Sequence, residues 1–165
     1  MEPQSSQLAY TSPASSCPLR IVLDGRKLGD GGIGVYIDST VRGLVMRADV
    51  TVAVIGTREQ ASRVSWSDRV SWIYDDTKSY SFSEYFLLPR RLEFSRFDIF
   101  HAPHYTLPFG IPIPTVVTIH DLIHIEHPQS AYYPFVARRL ISSAVRRASA
   151  VIAVSHDTKK ALHRY

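Results

Sequence analysis

The sequence lacks the features that mark several classes of protein. Its 165 residues contain one cysteine, Cys17, so no intrachain disulfide can form and we expect a reducing compartment. It has no run of about 18 apolar residues, the length that a bilayer-spanning helix needs. The N-terminal stretch is rich in serine and proline but has no apolar segment of the kind that secretory signals carry. These absences predict a soluble cytoplasmic protein.

Glycine is scarce as well, and so is any excess of charge of one sign. The eight glycines follow no G-X-Y period and no heptad pattern is sustained, which excludes collagen-like and coiled-coil chains. The net charge is only +4, and an apolar fraction of 45% is ordinary for a globular domain. The length suits one domain. We place it at residues 19–165, after a disordered Ser/Pro-rich tail at residues 1–18.

Short apolar runs alternate with amphipathic segments, and this alternation predicts the fold class. Apolar, mostly β-branched runs predict strands at residues 20–24, 49–55, 70–74, 98–101, 115–120 and 150–154, the last of them buried. Apolar residues at steps of three and four indicate helices at residues 33–46, 83–94, 134–148 and 158–165, with Pro89 kinking or splitting the second. The expected fold is α/β, a single Rossmann-like doubly wound parallel sheet. In such folds ligands bind beyond the carboxyl ends of the strands.

A glycine-rich loop follows the first predicted strand. Residues 29–34 hold four of the eight glycines and precede a helix, whose N-terminal dipole favours anions. The loop satisfies the G-x-G-x-x-G pattern, but no acidic residue ends the second strand, as a dinucleotide site requires. The pattern therefore favours phosphate binding over NAD binding. A glycine turn without a ligand stays an alternative.

Five of the seven histidines fall between His101 and His127, which raises the question of a metal site. The spacing of His120 and His124 resembles that of a ligand pair. However, His120 ends a predicted strand and His124 follows in a loop, so the two do not share a helix face. We expect no metal here. A strand-end histidine that forms hydrogen bonds in a cleft is the better interpretation of His120.

The last third of the chain is basic, with seven Lys or Arg residues against one Asp in residues 128–165. Four arginines are predicted on one helix face: Arg138, Arg139, Arg146 and Arg147. Such a face suits a phosphate-rich partner or an anionic membrane, although an ordinary solvated face fits the pattern equally well. No nucleic-acid-binding module accompanies the charge, so nucleic acid is not expected. No G-x-S-x-G elbow surrounds Ser155, which argues against a nucleophilic serine.

Three motifs in order resemble a known family. DGGIGVYI, FHAPHYTLPFGIPIPTVVTIHDLIHIEHP and ASAVIAVSHDTKKAL closely resemble the N-terminal half of retaining GT-B glycosyltransferases of family 4, in its mannosyltransferase-like branch. The likeness runs from about Arg20 to Leu162. Two positions depart from the pattern: Val35 stands where an arginine is common, and His156 stands where an acidic residue often follows the serine.

The resemblance implies that this chain is one half of a GT-B fold, with the site in a cleft between two Rossmann-like halves. Each motif then assigns a role to its residues. The donor diphosphate would lie against Gly31, Gly32 and Gly34, the donor sugar would contact His120 in a loop shaped by Asp121, and the acceptor side would include His104, Tyr105 and Ser155.

The implied reaction is transfer of a sugar from a nucleotide diphosphate-sugar to a hydroxyl of a glycan or lipid-linked acceptor, with retention and without a metal or other cofactor. The implied donor-binding C-terminal domain is absent from the sequence, so we expect a fragment that is inactive alone. Lipid-linked acceptors would place the basic helix at the inner face of a membrane. A non-catalytic Rossmann-like nucleotide- or glycan-binding module is the alternative.

Overall fold

The computed structural model of this protein describes residues 17–76, 83–126 and 132–164. Residues 1–16, most of the predicted tail, lie outside the described residues. The same holds for residues 77–82, for residues 127–131 with His127, and for Tyr165. The first strand begins at Leu19.

Six parallel strands form one sheet. They are β1 (Leu19–Asp24), β2 (Val50–Gly56), β3 (Ser71–Tyr74), β4 (Ile99–Ala102), β5 (Thr115–Ile119) and β6 (Ala150–Ala153), in the order β3-β2-β1-β4-β5-β6. The α-helices are α1 (Gly31–Leu44), α2 (Arg58–Arg63), α3 (Leu88–Arg91), α4 (Ile123–Glu126), α5 (Tyr133–Arg147) and α6 (His156–Arg164). This order is that of a doubly wound sheet. The predicted α/β, Rossmann-like fold is confirmed and is consistent with one half of a GT-B fold.

Two apolar layers cover the two faces of the sheet, because neighbouring residues of a strand point in opposite directions. Val22 of β1 lies in the layer that includes Ala144 of α5. Leu23, the next residue, lies in the layer that includes Ile37 and Val41 of α1. Since both faces of the central strands are buried, these strands have continuous apolar runs rather than an alternating pattern.

Helix α1 lies unusually close to the turn that follows β1. A Cβ atom on Gly34 would lie 3.2 Å from the carbonyl oxygen of Lys27 and from the carbonyl carbon of Leu28. Gly31, at the start of the helix, has a positive φ of 47°, which glycine adopts at little cost. Two of the loop glycines are therefore explained by backbone geometry.

Most predicted boundaries agree with the structure. Each strand begins and ends within one residue of its predicted range. The predicted helix at 83–94 is split: a π-helical turn (Ser83–Leu87) precedes α3, which carries Pro89 in its first turn. Helix α6 begins two residues earlier than predicted, because Ser155 serves as its N-cap by accepting a hydrogen bond from the Thr158 N–H at 3.0 Å.

The prediction that the last strand is buried is wrong. Val151 and Ile152 of β6 keep 38% and 40% of their surface exposed. β6 pairs with β5 along one edge, and no strand among the described residues pairs with its other edge. An apolar composition therefore predicted the strand correctly but not its burial.

The prediction that four arginines project from one face of α5 is wrong for Arg147. Its guanidinium donates to the carbonyl oxygens of Leu107 and Pro108, each at 2.6 Å, and lies 4.1 Å from the ring centre of Phe109. Burial lowers the pKa of Arg147 below its usual value. This side chain joins α5 to the proline-rich loop, and the other three arginines stay exposed.

Two histidines are buried around the end of β4. His101 bonds through Nε2 to the Thr118 hydroxyl of β5 at 2.9 Å. His104 accepts a hydrogen bond at Nδ1 from the Thr106 N–H at 3.1 Å. Burial lowers the pKa of His101 to about 4 and that of His104 to about 3. Both rings are therefore neutral in the folded protein near neutral pH.

Replacing Arg147 by Met should lower the free energy of unfolding by about 2 kcal/mol, because two carbonyl groups lose charge-assisted hydrogen bonds. Urea denaturation at neutral pH measures this. The same replacement at its exposed neighbour Arg146 is the control and should change stability by less than about 0.5 kcal/mol. Equal effects of the two replacements would contradict the role given to Arg147.

Acid should destabilise the fold through His101 and His104. The unfolded chain takes up protons on these histidines below about pH 6.5, whereas the folded chain does not. The stabilisation is therefore complete above about pH 6.5 and should fall by roughly 2–3 kcal/mol for each of the two histidines as the pH decreases to about 4.5. Urea titrations at several pH values measure the slope.

The matched variants for this pH test are His101→Gln and the exposed His156→Gln. His101→Gln removes a buried histidine whose pKa is depressed, whereas His156→Gln removes a histidine at the surface, so we expect a flatter dependence of stability on pH in His101→Gln alone. A slope that is the same in all three proteins would rule out this source of acid sensitivity.

Candidate functional site

Polar side chains gather where four neighbouring strands end. Asp24 ends β1, His104 follows β4, His120 follows β5 and Ser155 follows β6. The chain moves outward from β1 in one direction through β2 and in the other through β4, so the crevice beyond β1 and β4 is the topological switch point of the sheet. The candidate site lies at this edge.

A buried ion pair fixes the turn after β1. Nη2 of Arg26 lies 2.6 Å from Oδ2 of Asp24, and its Nε donates to Oδ1 at 2.9 Å. Both side chains are almost fully buried. Burial raises the pKa of the Asp24 carboxyl, but the Arg26 guanidinium outweighs burial and the pKa lies below its usual range. This pair was not predicted from the sequence, although an acidic residue at the end of an apolar strand is a usable signal.

The first turn of α1 is left without a side-chain cap. Asp30 occupies the N-cap position, but its side chain makes no cap hydrogen bond. Its carboxylate instead lies 3.1 Å from Nζ of Lys27. Gly31 and Gly32 are exposed in this turn, whereas Gly34 is buried against the preceding turn. Only the first two of the three predicted phosphate-binding glycines are therefore accessible.

His120 is held at three points. Its Nε2 donates to the Pro103 carbonyl at 2.8 Å, and its own carbonyl accepts a hydrogen bond from the Thr158 hydroxyl at 2.9 Å. The ring of Tyr36 lies at 89° to the imidazole, with 5.0 Å between the ring centres. The side chain stays half-buried. This residue is thus a firmly positioned histidine at the mouth of the crevice.

Asp121 is exposed and shapes the loop beside His120. Its Oδ1 accepts a hydrogen bond from the Ile123 N–H at 3.1 Å, which forms a turn at the start of α4. The contact fixes the direction in which the chain leaves β5.

The predicted acceptor residues differ in exposure. His104 is only 3% exposed and packs at right angles to Tyr105, with 5.8 Å between the ring centres. Tyr105 is half-buried and Ser155 is exposed. The Ser155 hydroxyl caps α6. His104 therefore supports Tyr105 from within the protein, while Tyr105 and Ser155 reach the surface.

Tyr36 and Thr118 belong to the site but were missed. The Tyr36 hydroxyl lies 3.0 Å from Oγ1 of Thr118, which in turn bonds to His101. In the sequence, Tyr36 occupies one of the apolar positions of an amphipathic helix. Its phenol is a usable signal, since a buried tyrosine hydroxyl normally has a hydrogen-bond partner.

Neither a metal site nor a membrane span occurs within residues 17–76, 83–126 and 132–164. No group of three or more His, Cys, Asp or Glu side chains is arranged there to hold a metal ion. None of the helices described is long and apolar enough to cross a bilayer. His124 lies in α4, four residues beyond His120 in the sequence.

An open groove of about 720 Å³ lies between α5, β6 and α6. Its walls are mostly apolar, and they include Ser155 but neither His120 nor the glycine loop. The groove follows from the exposed edge of β6. We place the candidate site at the switch point because the buried ion pair, the uncapped helix and His120 all lie there.

The sequence model of Glycosyltransferase Family 4 matches residues 30–165, a range that includes every site residue that the resemblance assigned. Comparisons with curated proteins and with solved structures gave no match. Since the matched range extends from the first turn of α1 through α6, this protein belongs to glycosyltransferase family 4.

Proposed function

We propose that this chain forms the acceptor-side half of an enzyme that transfers a sugar from a nucleotide diphosphate-sugar to a hydroxyl acceptor. One observation carries the proposal: in a family 4 chain, the uncapped N-terminus of α1 and the half-buried His120 lie at the same edge of the sheet. During sugar transfer, negative charge develops on the leaving diphosphate and positive charge develops on the donor sugar. Groups at this edge of the sheet would stabilise both charges.

The donor diphosphate would bind at the first turn of α1. The positive end of the helix dipole favours an anion there. Asp30 would otherwise oppose an anion, but its carboxylate is paired with Lys27. Gly31 and Gly32 leave the backbone open, because no atom lies within 4 Å of a Cβ built on either of them. Gly34 contributes by bringing the helix close to the turn rather than by direct contact.

His120 would contact the donor sugar near the reacting carbon, with Asp121 holding the loop. Tyr105 and Ser155 would face the acceptor, with His104 behind Tyr105. The likeness of the three motifs supports retention at the anomeric carbon and a mannose-like donor. No metal or other cofactor is part of this proposal. A second, donor-binding half would complete the cleft, so the 165-residue chain alone should be inactive.

A membrane surface is a second proposed partner. Tyr132 and Phe135, at the start of α5, keep 62% and 67% of their surface exposed. The guanidinium of Arg139 lies 5.5 Å from the ring centre of Phe135, and Arg138 is exposed on the same helix. Exposed aromatic rings beside arginines suit the interface of an anionic membrane. This arrangement supports a cytoplasmic enzyme that docks at the inner face of a membrane, where lipid-linked acceptors occur.

In the full-length gene product, His120→Ala should reduce kcat by roughly 10²–10³, because a positioned contact to the transition state is lost. Product formation from a panel of nucleotide-sugars, followed by mass spectrometry, measures this, and NMR of the product gives the anomeric configuration. His124→Ala is the control, since that residue lies in α4, four residues beyond His120 in the sequence.

The panel also discriminates between the proposed enzyme and a binding module. Binding of a nucleotide-sugar without turnover by the full-length protein would favour the non-catalytic alternative. Robust transfer by the 165-residue chain alone would overturn the requirement for a second half. A full-length His120→Ala protein with unchanged kcat would remove His120 from the proposed mechanism.

Replacing Arg138, Arg139 and Arg146 together by Ser should abolish sedimentation with anionic vesicles. Each arginine near such a surface contributes about 1 kcal/mol, and salt near 0.5 M screens the attraction. The control replaces Arg47, Arg63 and Arg96, which are exposed but ion-paired with acidic neighbours. Equal sedimentation with neutral and anionic vesicles, or an equal loss in both triple variants, would contradict the proposal.

A further inference from the structure

One nitrogen of the His120 imidazole forms a hydrogen bond within the protein, and the other has no hydrogen-bond partner among the described residues. Nε2 lies 2.8 Å from the Pro103 carbonyl oxygen, which can only accept a hydrogen bond. In the neutral ring, the proton is therefore on Nε2, and Nδ1 carries the lone pair. Among the described residues, Nδ1 has no hydrogen-bond partner. A half-buried acceptor is thus held at the mouth of the crevice.

Tyr36 is the side chain that restrains this ring. Its ring lies perpendicular to the imidazole with 5.0 Å between the centres, so the imidazole cannot turn over without displacing the phenol. A half-turn about the Cβ–Cγ bond of His120 would place Cε1 where Nε2 stands and Cδ2 where Nδ1 stands, so Nε2 would lose the Pro103 carbonyl. Tyr36 therefore opposes the movement that would take Nε2 away from Pro103.

A hydrogen-bonded chain keeps Tyr36 itself in place. The phenol hydroxyl lies 3.0 Å from the Thr118 hydroxyl of β5, and Thr118 lies 2.9 Å from Nε2 of His101 in β4. Thr118 is fully buried and His101 is 6% exposed. Buried groups of this kind keep their partners, because an unpaired donor or acceptor costs about 1–3 kcal/mol. The position of Tyr36 is thereby fixed by two central strands.

We propose that Tyr36, tethered through Thr118 to His101, is a positioning residue that holds His120 with its Nε2–H on Pro103 and its Nδ1 free to accept a hydrogen bond from a ligand hydroxyl. The identity of that ligand as a sugar rests on the proposed function. The positioning itself does not, because it concerns the protein without a ligand.

The assignment restricts the ligand. A neutral Nδ1 accepts a hydrogen bond and donates none, so the group opposite must be a donor such as a sugar hydroxyl. A deoxy or methylated analogue at that position would leave Nδ1 without a partner. Sites that form a hydrogen bond to a hydroxyl discriminate strongly against analogues that lack it.

The test uses the 165-residue chain labelled with ¹⁵N on histidine. At pH 8, long-range ¹H–¹⁵N spectra report which nitrogen of His120 carries the proton. The wild-type chain should show a single Nε2–H form. Tyr36→Leu should convert this pattern to averaged nitrogen shifts, because the ring can then turn away from the Pro103 carbonyl and its proton can exchange between Nε2 and Nδ1. Tyr74→Leu makes the same change at a half-exposed tyrosine of β3 and should leave the pattern unchanged.

Two variants at Thr118 test the tether. Thr118→Val removes the hydroxyl while nearly preserving shape, and should also give averaged shifts at His120. Thr118→Ser keeps the hydroxyl and should restore the single form. If Thr118→Val does not fold, Tyr36→Phe replaces it, since that variant removes the same hydrogen bond by deleting one oxygen atom from a half-buried side chain.

The outcomes separate the positioning role from the proposed reaction. An unchanged single Nε2–H form in Tyr36→Leu would overturn the positioning role, and an unchanged form in Thr118→Val would overturn the tether. A wild-type chain with the proton on Nδ1 would overturn the assignment of the free acceptor. Failure of the full-length protein to transfer any sugar would instead count against the proposed function and would leave the NMR result intact.

Discussion

The close approach of α1 to the turn after β1 is the constraint on which the candidate site depends. Gly34 has no side chain, so the helix lies against the backbone of Lys27 and Leu28. This contact fixes the position of the exposed first turn of α1. It also places Tyr36 of α1 against Thr118 of β5, which lies two strands away from β1 in the sheet. A larger residue at position 34 would move both features together.

The residues that stabilise the sheet and the residues that form the candidate site occupy different parts of the strands. The middle of each central strand is apolar on both faces, and the core forms there by simple exclusion of water. Polar groups are concentrated at the carboxyl ends, where the Asp24–Arg26 pair and the chain from Tyr36 to His101 are buried but satisfied. Buried groups of this kind fix one arrangement, because any other would leave a partner unpaired.

The sequence predicted those features of the fold that depend on residues close together in the chain. Continuous runs such as that in β1 predicted strands buried on both faces, and Pro89 predicted the break before α3. The exposure of β6 and the inward turn of Arg147 depend on which segments lie next to them, and periodicity does not contain that information. In the site, the strand ends predicted His120. Tyr36 was missed because its partner, Thr118, is 82 residues away in sequence.

The hydrogen bond from Thr158 to the carbonyl of His120 also couples the position of α6 to that of His120. Thr158 lies in the first turn of α6, a helix that forms one wall of the groove beside β6. A displacement of α6 along its axis must therefore stretch this bond or pull His120 with it. A movement of this groove wall, which does not include the glycine loop, therefore reaches the backbone of His120 through a single hydrogen bond.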